Sequence, residues 1–396
     1  MLQLSFVNFK KNSYIFVAGQ ATNDRFLIIQ SGTIRTISEY ATGTDRNTMN
    51  GPGDFVGVIA CMASQRQIET AIAITDVVAI AVKKEQYSEL IAKNTPVAMK
   101  IIRTFANQMR SVNELLTQLT LKSTLESNPE QIFSIANFYD EIGQSNIAIY
   151  GYYQYMKACP NGTNVEKAKK RFVTLKSRSE AVYFETGNEG VRIYPKGTMI
   201  FSECQSGNDM FIIQSGQVKI SKVVDNNEVL LAVLPKGEFF GEMSLLENKP
   251  RSASAIAHED TTLMVLNRKN FVQMVATQPQ LISRLTITLA ERLWSMSRQL
   301  ANSQLKDPQH RLIDMLALQL EKTRVVISSA TMHLFDFNVY DLANMGGIPK
   351  EQQNRVLGEF IKNDNIRRKE EKIYVVDCQR LIKDSEFYRK QISTSK

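Results

Sequence analysis

The sequence predicts an α+β multidomain chain with two β-barrels of the jelly-roll type, a helical spacer and a C-terminal winged helix-turn-helix. The first observation is an internal repeat, because NDRFLIIQSGTIR (23–35) resembles GNDMFIIQSGQVK (207–219), and GPGDFVG (51–57) resembles PKGEFFG (235–241) at the same offset of about 184 residues. The second is the run of short β-branched segments within each copy, broken by Gly, Asn and Asp. The third is a change of pattern near residue 307, where helical segments precede a short hairpin pattern.

These changes of pattern divide the 396 residues into four predicted domains. A first barrel with its long helix covers 1–122, and the spacer covers 123–180. A second barrel with its long helix covers 181–306, and the winged helix-turn-helix covers 307–396.

Composition narrows the class of protein. The net charge of +8 weakly favours a polyanionic partner. The four cysteines are scattered and form no CxxC pair, so that we expect a reducing compartment and no metal site. No apolar stretch is long enough to cross a bilayer, and the N-terminus does not resemble a cleaved leader. The sequence therefore predicts a cytoplasmic protein without a membrane partner.

Turn residues predict how the strands of each barrel connect. QSG, at 30–32 and again at 214–216, and VDNNEV at 224–229 are typical of hairpin turns between neighbouring antiparallel strands. We therefore expect three hairpins at these positions.

Each barrel is followed by a long helix with an apolar seam of alternating spacings 3 and 4. The seam of the first helix is Ile102, Phe105, Met109, Val112, Leu116 and Leu119, and that of the second is Ile282, Leu289, Leu293, Met296 and Leu300. Such a seam packs either on its own chain or against a second chain. The two alternatives are even for the first helix, whereas pairing is favoured for the second, and this predicts a homodimer.

The spacer has small residues where two helices would cross and aromatic residues around them. The pattern is Ile132, Ile135, Ala136, Tyr139, Gly143, Ala148, Tyr152, Tyr155 and Pro160. It resembles a tetratricopeptide unit, which cannot bury its apolar face alone and also suits a protein-docking role. The alternative is an ordinary helical hairpin that links the barrels.

The stretch GEFFGEMSLLENKPRSASA (237–255) combines the features of an anion site. Gly241 lets the backbone approach a ligand, Arg251 provides a planar fork for phosphate oxygens, and Glu242 can accept a hydrogen bond from a ribose hydroxyl. There is no GxxxxGK[ST] loop for a triphosphate. A ribose and a singly charged phosphate held close together, as in a cyclic nucleotide, fit this pattern.

FGEMSLLENKPRSASA resembles the phosphate-binding cassette of cyclic-nucleotide-binding domains. The order of barrel, long helix and winged helix-turn-helix, over about residues 183–382, resembles the catabolite-activator/Fnr transcription regulators. The resemblance implies that Glu242 binds the ribose 2′-hydroxyl and Arg251 the exocyclic phosphate oxygens. The other residues implied in ligand binding are Gly241, Met243, Ser244 and Ser252 in the cassette, and Met296 and Ser297 near the base. The implied effector is a cyclic nucleotide, with cyclic AMP favoured over cyclic GMP.

One alternative to this interpretation of the cassette concerns its two charged residues. Glu242 and Arg251 could instead form a buried ion pair that braces a loop. The first copy also departs from the pattern, because Val58 replaces the glutamate and Gln67 replaces the arginine, with Arg66 one position away. We therefore expect the first barrel to be degenerate and to bind no cyclic nucleotide.

The tail resembles the DNA-reading part of the same family, in the stretch GGIPKEQQNRVLGEFIKNDNI. The resemblance places Lys350, Glu351 and Arg355 at base-edge positions, where their side chains suit guanine and cytosine. Further base or phosphate contacts are predicted for Gln352, Gln353 and Asn354, and phosphate contacts for Arg367, Arg368, Lys369 and Lys372. The predicted partner is double-stranded DNA, and the alternatives are a solvated charged helix or a protein-docking module.

No catalytic constellation is present, since the three histidines are isolated and GxSxG is absent. The sequence therefore predicts a cyclic-nucleotide-responsive DNA-binding transcription regulator and not an enzyme. One alternative is a tandem cyclic-nucleotide regulatory subunit that controls a partner protein. Another is a descendant of the family that binds DNA without a ligand.

Overall fold

The fold is described from a computed structural model. The residues that it describes are 4–21, 24–38, 47–121, 128–185, 187, 189–224, 226–323, 325, 327–328 and 331–394. The chain divides into two compact units. Unit 1 comprises Met1–Glu85, Val112–Lys122 and Ala290–Lys396, and unit 2 comprises Gln86–Ser111 and Ser123–Leu289. Each unit thus combines parts of several predicted domains. The boundaries of the four predicted domains remain a prediction.

The first copy begins with two antiparallel four-stranded sheets in unit 1. The strands are β1 (Ser5–Phe9), β2 (Tyr14–Phe16), β3 (Arg25–Ser31), β4 (Ile34–Ser38), β5 (Asn47–Asn50), β6 (Phe55–Val56), β7 (Glu69–Ala73) and β8 (Val77–Lys83). The strand orders are β1-β8-β3-β6 and β2-β7-β4-β5. Residues of both sheets, among them Leu27, Ile34, Ala71 and Ala79, share one buried cluster. Three helices follow or interrupt the strands: α1 (Val58–Ala63), α2 (Tyr87–Lys93) and α3 (Thr95–Leu121).

The second copy repeats this plan in unit 2. Its strands are β9 (Val191–Tyr194), β10 (Met199–Phe201), β11 (Asp209–Ser215), β12 (Val218–Val224), β13 (Asn227–Leu234), β14 (Phe239–Phe240), β15 (Ser254–Ala257) and β16 (Thr261–Asn267). The sheets are β14-β11-β16-β9 and β10-β15-β12-β13. The helices of this copy are α7 (Glu242–Glu247), α8 (Arg268–Thr277) and α9 (Pro279–Ser303).

The two QSG turns are not hairpins, and this corrects the sequence-based prediction. In each copy the strands on either side of QSG belong to different sheets, so that the turn carries the chain from one sheet to the other. The glycine is required because Gly32 and Gly216 have φ of 88° and 78°, and a Cβ at either would lie 2.3 Å from a backbone oxygen. VDNNEV, in contrast, connects β12 and β13, which pair in antiparallel register from Val218 to Val224.

Three helices form the spacer in unit 2. They are α4 (Gln131–Glu141), α5 (Ser145–Ala158) and α6 (Val165–Lys176). Helices α4 and α5 approach closely where Ala136 faces Gly151, since a Cβ on Gly151 would lie 2.8 Å from that of Ala136. The buried side chains of the spacer continue into those of Met199, Cys204 and Ile256 in the second copy. The spacer therefore packs on the second barrel and does not bury its apolar face alone.

The tail, in unit 1, contains four helices and one small sheet. They are α10 (Pro308–Thr323), β17 (His333–Phe335), α11 (Val339–Met345), α12 (Lys350–Phe360), β18 (Ile366–Lys369), β19 (Lys372–Val375) and α13 (Cys378–Thr394). Helix α11 begins with a capping box in which Asn338 and Asp341 bond reciprocally to backbone N–H groups. Strands β18 and β19 pair antiparallel through a two-residue turn, Glu370 and Glu371, whose φ values of 50° and 68° are those of a type I′ hairpin.

The seam of α9 is buried within the single chain. Ile282, Leu289, Leu293 and Leu300 are each 2% exposed or less, which differs from the prediction that this seam pairs with a second chain. The seam of α3 changes along its length, because Phe105 is buried whereas the last seam residue, Leu119, is 49% exposed. In the part of the chain that is described, no helix is long and apolar enough to cross a membrane.

Candidate ligand-binding site

The predicted cassette lies between β14 and β15 of the second copy. Strand β14 ends at Phe240, and the next residue, Gly241, has φ of 77° and directly precedes α7. A side chain at Gly241 would not fit, because its Cβ would lie 2.7 Å from Nη1 of Arg251. Helix α7 ends at Glu247, and the capping residue that follows, Asn248, is also left-handed with φ of 58°. This tight turn of the chain brings Arg251 back to the start of the helix.

Arg251 is the centre of the site, and only 6% of its surface is exposed. Its Nη1 donates to the backbone oxygen of Gly241 at 2.7 Å and to Oγ of Ser244 at 2.5 Å. The guanidinium carbon lies 4.1 Å from the centre of the Phe201 ring. Gly207 leaves room for it, since a Cβ there would lie 2.6 Å from that carbon. The guanidinium is therefore held in one position before any ligand binds.

The charge of Arg251 is only partly compensated. Both acceptors of its Nη1 are neutral oxygens, and its buried Nε has no hydrogen-bond partner among the described residues. Burial lowers the pKa of Arg251 to about 10, although the carboxylates of Asp209 and Glu242 counteract this shift. A buried cation with an unused donor suits an incoming anion.

The other cassette residues lie close to this cation. Glu242 and Ser244 are both buried, and Oγ of Ser244 also donates to the backbone oxygen of Gly241 at 3.1 Å. Oγ of Ser252 lies 3.8 Å from Sδ of Met243, and both side chains are half-buried. The structure thus brings Gly241, Glu242, Met243, Ser244, Arg251 and Ser252 together.

Ser297 and Met296 are placed differently. They lie on the part of α9 that belongs to unit 1, where Ser297 is buried and Met296 is half-buried. Their predicted contact with the base of a ligand stays a prediction.

One contact of the cassette was not predicted from the sequence, and it comes from the spacer. The hydroxyl of Tyr150 on α5 lies 3.1 Å from Nε2 and 3.3 Å from Oε1 of Gln205. The backbone of Gln205 in turn accepts a hydrogen bond from the backbone N–H of Arg251 at 2.8 Å. Tyr150 therefore supports the loop residue that pairs with the backbone of Arg251. No local pattern signals this contact, because it depends on how the spacer packs.

The equivalent turn of the first copy has the same backbone but different chemistry. Gly57 again has φ of 75° and precedes a short helix that begins with the buried Val58. Gln67, in the place of Arg251, is buried, and its Oε1 has no hydrogen-bond partner in the described part of the chain. Arg66 does not take over the role of the missing cation, because its Nη1 pairs with Glu386 at 2.8 Å.

A carboxylate also distinguishes the first copy. Glu69 stands where the second copy has Ala253, at the same offset. Burial raises the pKa of Glu69 to about 7, and a hydrogen bond from the backbone N–H of Gly57 opposes the shift. An acid at this position would repel a phosphate in its ionised form. The first copy therefore lacks the cation of the second and carries an additional acid.

The tail presents a row of exposed polar side chains on α12. The exposed side chains of this helix are Lys350, Glu351, Gln352, Asn354, Arg355 and Glu359. Gln353 corrects the prediction of a DNA contact, because it is 8% exposed and its Nε2 donates to Oδ1 of Asn344 and to the backbone oxygen of Ile348. Its amide holds the turn between α11 and α12.

The hairpin that follows α12 is also basic and exposed. Arg367, Arg368, Lys369 and Lys372 are all exposed on β18 and β19. Two of them already have acidic neighbours, since Arg368 pairs with Glu371 at 3.3 Å and Lys372 with Asp336 at 2.6 Å. These are surface pairs, which contribute little to stability and exchange easily. Among the described residues there is no group of three or more side chains suited to a metal ion.

Comparison with known proteins supports the cassette. The family model of the cyclic nucleotide-binding domain matches residues 6–94 and 191–278, one in each copy. The chain is 31% identical over 183 residues to the cyclic AMP receptor protein of Thermus thermophilus, covering 44% of this chain and 79% of that protein. It is 26% identical over 189 residues to a CRP-like cAMP-activated global transcriptional regulator of Mycobacterium tuberculosis, covering 48% and 84%.

A shorter similarity concerns a different class of protein. The chain is 37% identical over 94 residues to human cGMP-dependent protein kinase 2, covering 23% of this chain and 12% of the kinase. The similarity to the first two proteins extends over most of their length, whereas that to the kinase covers a small part of it. The chain therefore belongs to the family of the cyclic AMP receptor protein, and it carries two copies of the cyclic nucleotide-binding domain.

Proposed function

We propose that this chain is a cyclic-nucleotide-responsive transcription regulator that binds double-stranded DNA. It binds one cyclic nucleotide in the second barrel, with cyclic AMP favoured over cyclic GMP, and it acts by binding and not by catalysis. The names of the relatives in Thermus thermophilus and Mycobacterium tuberculosis support cyclic AMP. The name of the kinase relative supports cyclic GMP instead, but the similarity to it extends over a shorter stretch of this chain.

The observation that carries the proposal is the buried Arg251 with its unused Nε. A cyclic phosphate has a single negative charge, which matches a single buried guanidinium. Glu242 lies at the start of α7, next to this cation, and its carboxylate can accept a hydrogen bond from a ribose hydroxyl. We propose that Gly241, Met243, Ser244 and Ser252 complete the cradle.

We propose that the first barrel binds no cyclic nucleotide. Val58 cannot accept a hydrogen bond from a hydroxyl, Gln67 carries no charge, and Arg66 is paired with Glu386. The carboxyl of Glu69 adds an unfavourable charge. The barrel is thus a degenerate copy that keeps the backbone of the site without its polar contacts.

We also propose that the spacer is a tetratricopeptide-like unit. Two antiparallel helices that meet at Ala136 and Gly151, with Tyr139, Tyr152 and Tyr155 buried around them, support this assignment. Its packing on the second barrel supports a structural role for one of its faces.

For DNA, we propose a winged helix-turn-helix in which α12 enters the major groove. The exposed Lys350, Glu351, Asn354 and Arg355 support this role, and the paired strands β18 and β19 would form the wing. Two chains, as a homodimer, would bind two half-sites. Since the seam of α9 is buried in one chain, we propose that the homodimer forms through other surfaces.

Two variants separate the reading of bases from the holding of phosphates. Arg355→Ala should weaken binding to the preferred DNA site by roughly 1–3 kcal/mol and relax the preference at one base pair. Arg368→Ala should weaken all sequences alike and reduce the salt dependence by about one unit of slope. Both are measured by fluorescence anisotropy on duplexes chosen by selection from random DNA, with cyclic AMP present. Arg178→Ala, an exposed arginine in the linker after α6, is the matched control and should change neither quantity.

Selection itself tests the proposal more broadly. We expect an enriched site with two half-sites about 34 Å apart, which is one turn of the duplex. If no site is enriched with or without cyclic nucleotide, DNA binding is wrong. The tail would then be a protein-docking module, and a regulatory subunit that controls a partner protein would be the better account of the chain.

A further inference from the structure

A residue from the helix after the first barrel contacts the cassette of the second barrel. Arg110 lies on the part of α3 that belongs to unit 2, and it is buried. Its Nε donates to the carboxylate of Glu247, and its Nη2 donates to the backbone oxygen of Pro250 at 3.2 Å. Glu247 is the last residue of α7, and Pro250 directly precedes Arg251. One side chain thus connects the two ends of the turn that positions Arg251.

An equivalent contact in unit 1 runs from the long helix of the second copy to the turn of the first. Trp294, on α9 of the second copy, donates its indole N–H to the backbone oxygen of Arg66 at 2.9 Å. The repeat offset of 184 residues relates Arg110 to Trp294 and Arg66 to Pro250. Each long helix therefore donates, from the equivalent position, to the equivalent carbonyl of the other copy.

The two contacts differ in strength. The turn of the first copy receives a neutral donor from α9, which is the indole N–H of Trp294. In the second copy, the ion pair of Arg110 and Glu247 is added, and the two side chains are 7% and 2% exposed. Removing one partner of a buried ion pair leaves an uncompensated charge, which disfavours the arrangement strongly. The copy with the complete cassette therefore has the stronger restraint.

We propose that Arg110 is a positioning residue of the second cassette, so that the first copy controls a ligand site which it does not itself contain. The side chain fixes the end of α7 and the carbonyl before Arg251, and thereby the direction in which the guanidinium projects. In this proposal, the helix after the first barrel holds the cassette of the second in the binding conformation. This inference rests on the proposed binding of a cyclic nucleotide in the second barrel.

The test uses the full chain and four variants. Arg110→Met keeps an unbranched apolar stem and removes the guanidinium with its charge, and Arg103→Met is the matched control at an exposed position of the same helix. Hydrogen exchange of residues 241–253 is measured without ligand, and affinity for cyclic AMP by calorimetry. We expect Arg110→Met to accelerate exchange in the cassette and to weaken binding at least tenfold, and the control to do neither. Glu247→Gln should weaken binding similarly, and the double variant should lose less than the two single effects added together.

The outcomes separate this inference from the proposed function. If the wild-type chain binds neither cyclic AMP nor cyclic GMP, the proposed function fails, and cassette exchange still decides whether Arg110 positions the turn. If the wild type binds and Arg110→Met binds equally well with unchanged exchange, the inference is overturned. Should Arg110→Met not fold, Arg110→Lys replaces it. The lysine keeps the charge but cannot donate from two nitrogens, so that unchanged affinity and exchange would again contradict the inference.

Discussion

Arg251→Ala is expected to weaken the binding of cyclic AMP to the full chain by about 2–4 kcal/mol, or roughly 30- to 1,000-fold. The variant removes the buried cation of the cassette, whose Nε has no partner in the described part of the chain and remains available for a phosphate oxygen. Calorimetric titration of wild type and variant at equal salt measures the difference. Arg178→Ala serves as the control for the loss of one positive charge and should bind as the wild type does.

The stability of the ligand-free chain distinguishes a binding role of Arg251 from a structural one. A buried guanidinium with an unused donor is a cost in the absence of ligand, so that Arg251→Met should not lower the melting temperature of the ligand-free protein. The ligand-induced rise of the melting temperature should disappear at the same time. A large loss of ligand-free stability with retained affinity would instead indicate that Arg251 braces the loop.

Asp314→Ala is expected to lower the free energy of unfolding by about 3–5 kcal/mol. The carboxyl of Asp314 is completely buried and lies 3.4 Å from Nη2 of Arg298 on α9. On α13, Oγ of Ser385 donates to it at 2.7 Å and Arg389 lies 3.3 Å away. Removing the acid would leave the positive charges of Arg298 and Arg389 with less compensation. Of these two arginines, Arg298 is buried. Unfolding of the full chain in urea measures the loss.

Asp384→Ala is the matched control for this experiment. Asp384 is an acid of α13 whose side chain is 36% exposed and lies 3.8 Å from Arg380, so that its loss should change the free energy of unfolding by about 0.5 kcal/mol or less. A change below about 1 kcal/mol in Asp314→Ala would show that the buried network does not join α9 to the tail.

The parts that sequence predicts best are those whose chemistry is local. A left-handed Gly241, an acid directly after it and Arg251 nine residues beyond the acid make a site within one short segment, and the structure brings them together. The repeat is equally visible, because both copies keep the same strand order and the same turn glycines. The helix–turn–helix order of the tail also follows from local patterns, since Pro349 and the capping residue Asn338 mark the starts of two helices.

The parts that sequence does not predict depend on long-range packing. QSG has the composition of a hairpin turn, yet Gly32 is needed because the backbone of Asp76, in the turn between β7 and β8, approaches it closely. Gln353 lies in a polar stretch that is typical of DNA contacts, yet its side-chain amide forms a hydrogen bond within the turn between α11 and α12. The contact of Arg110 with the second cassette has no local signal at all. Only the equivalence of Arg110 and Trp294 in the repeat hints at it, and this becomes visible once both contacts are known.

The central claim is that each chain has one cyclic nucleotide site, formed by the cassette around Arg251. Calorimetric titration of the full chain with cyclic AMP, and separately with cyclic GMP, tests it most directly. We expect a stoichiometry of one ligand per chain in wild type and a Kd weakened by roughly 30- to 1,000-fold in Arg251→Ala. Two ligands per chain would show that the first barrel also binds. A Kd weaker than about 1 mM for both nucleotides would contradict the account of the second.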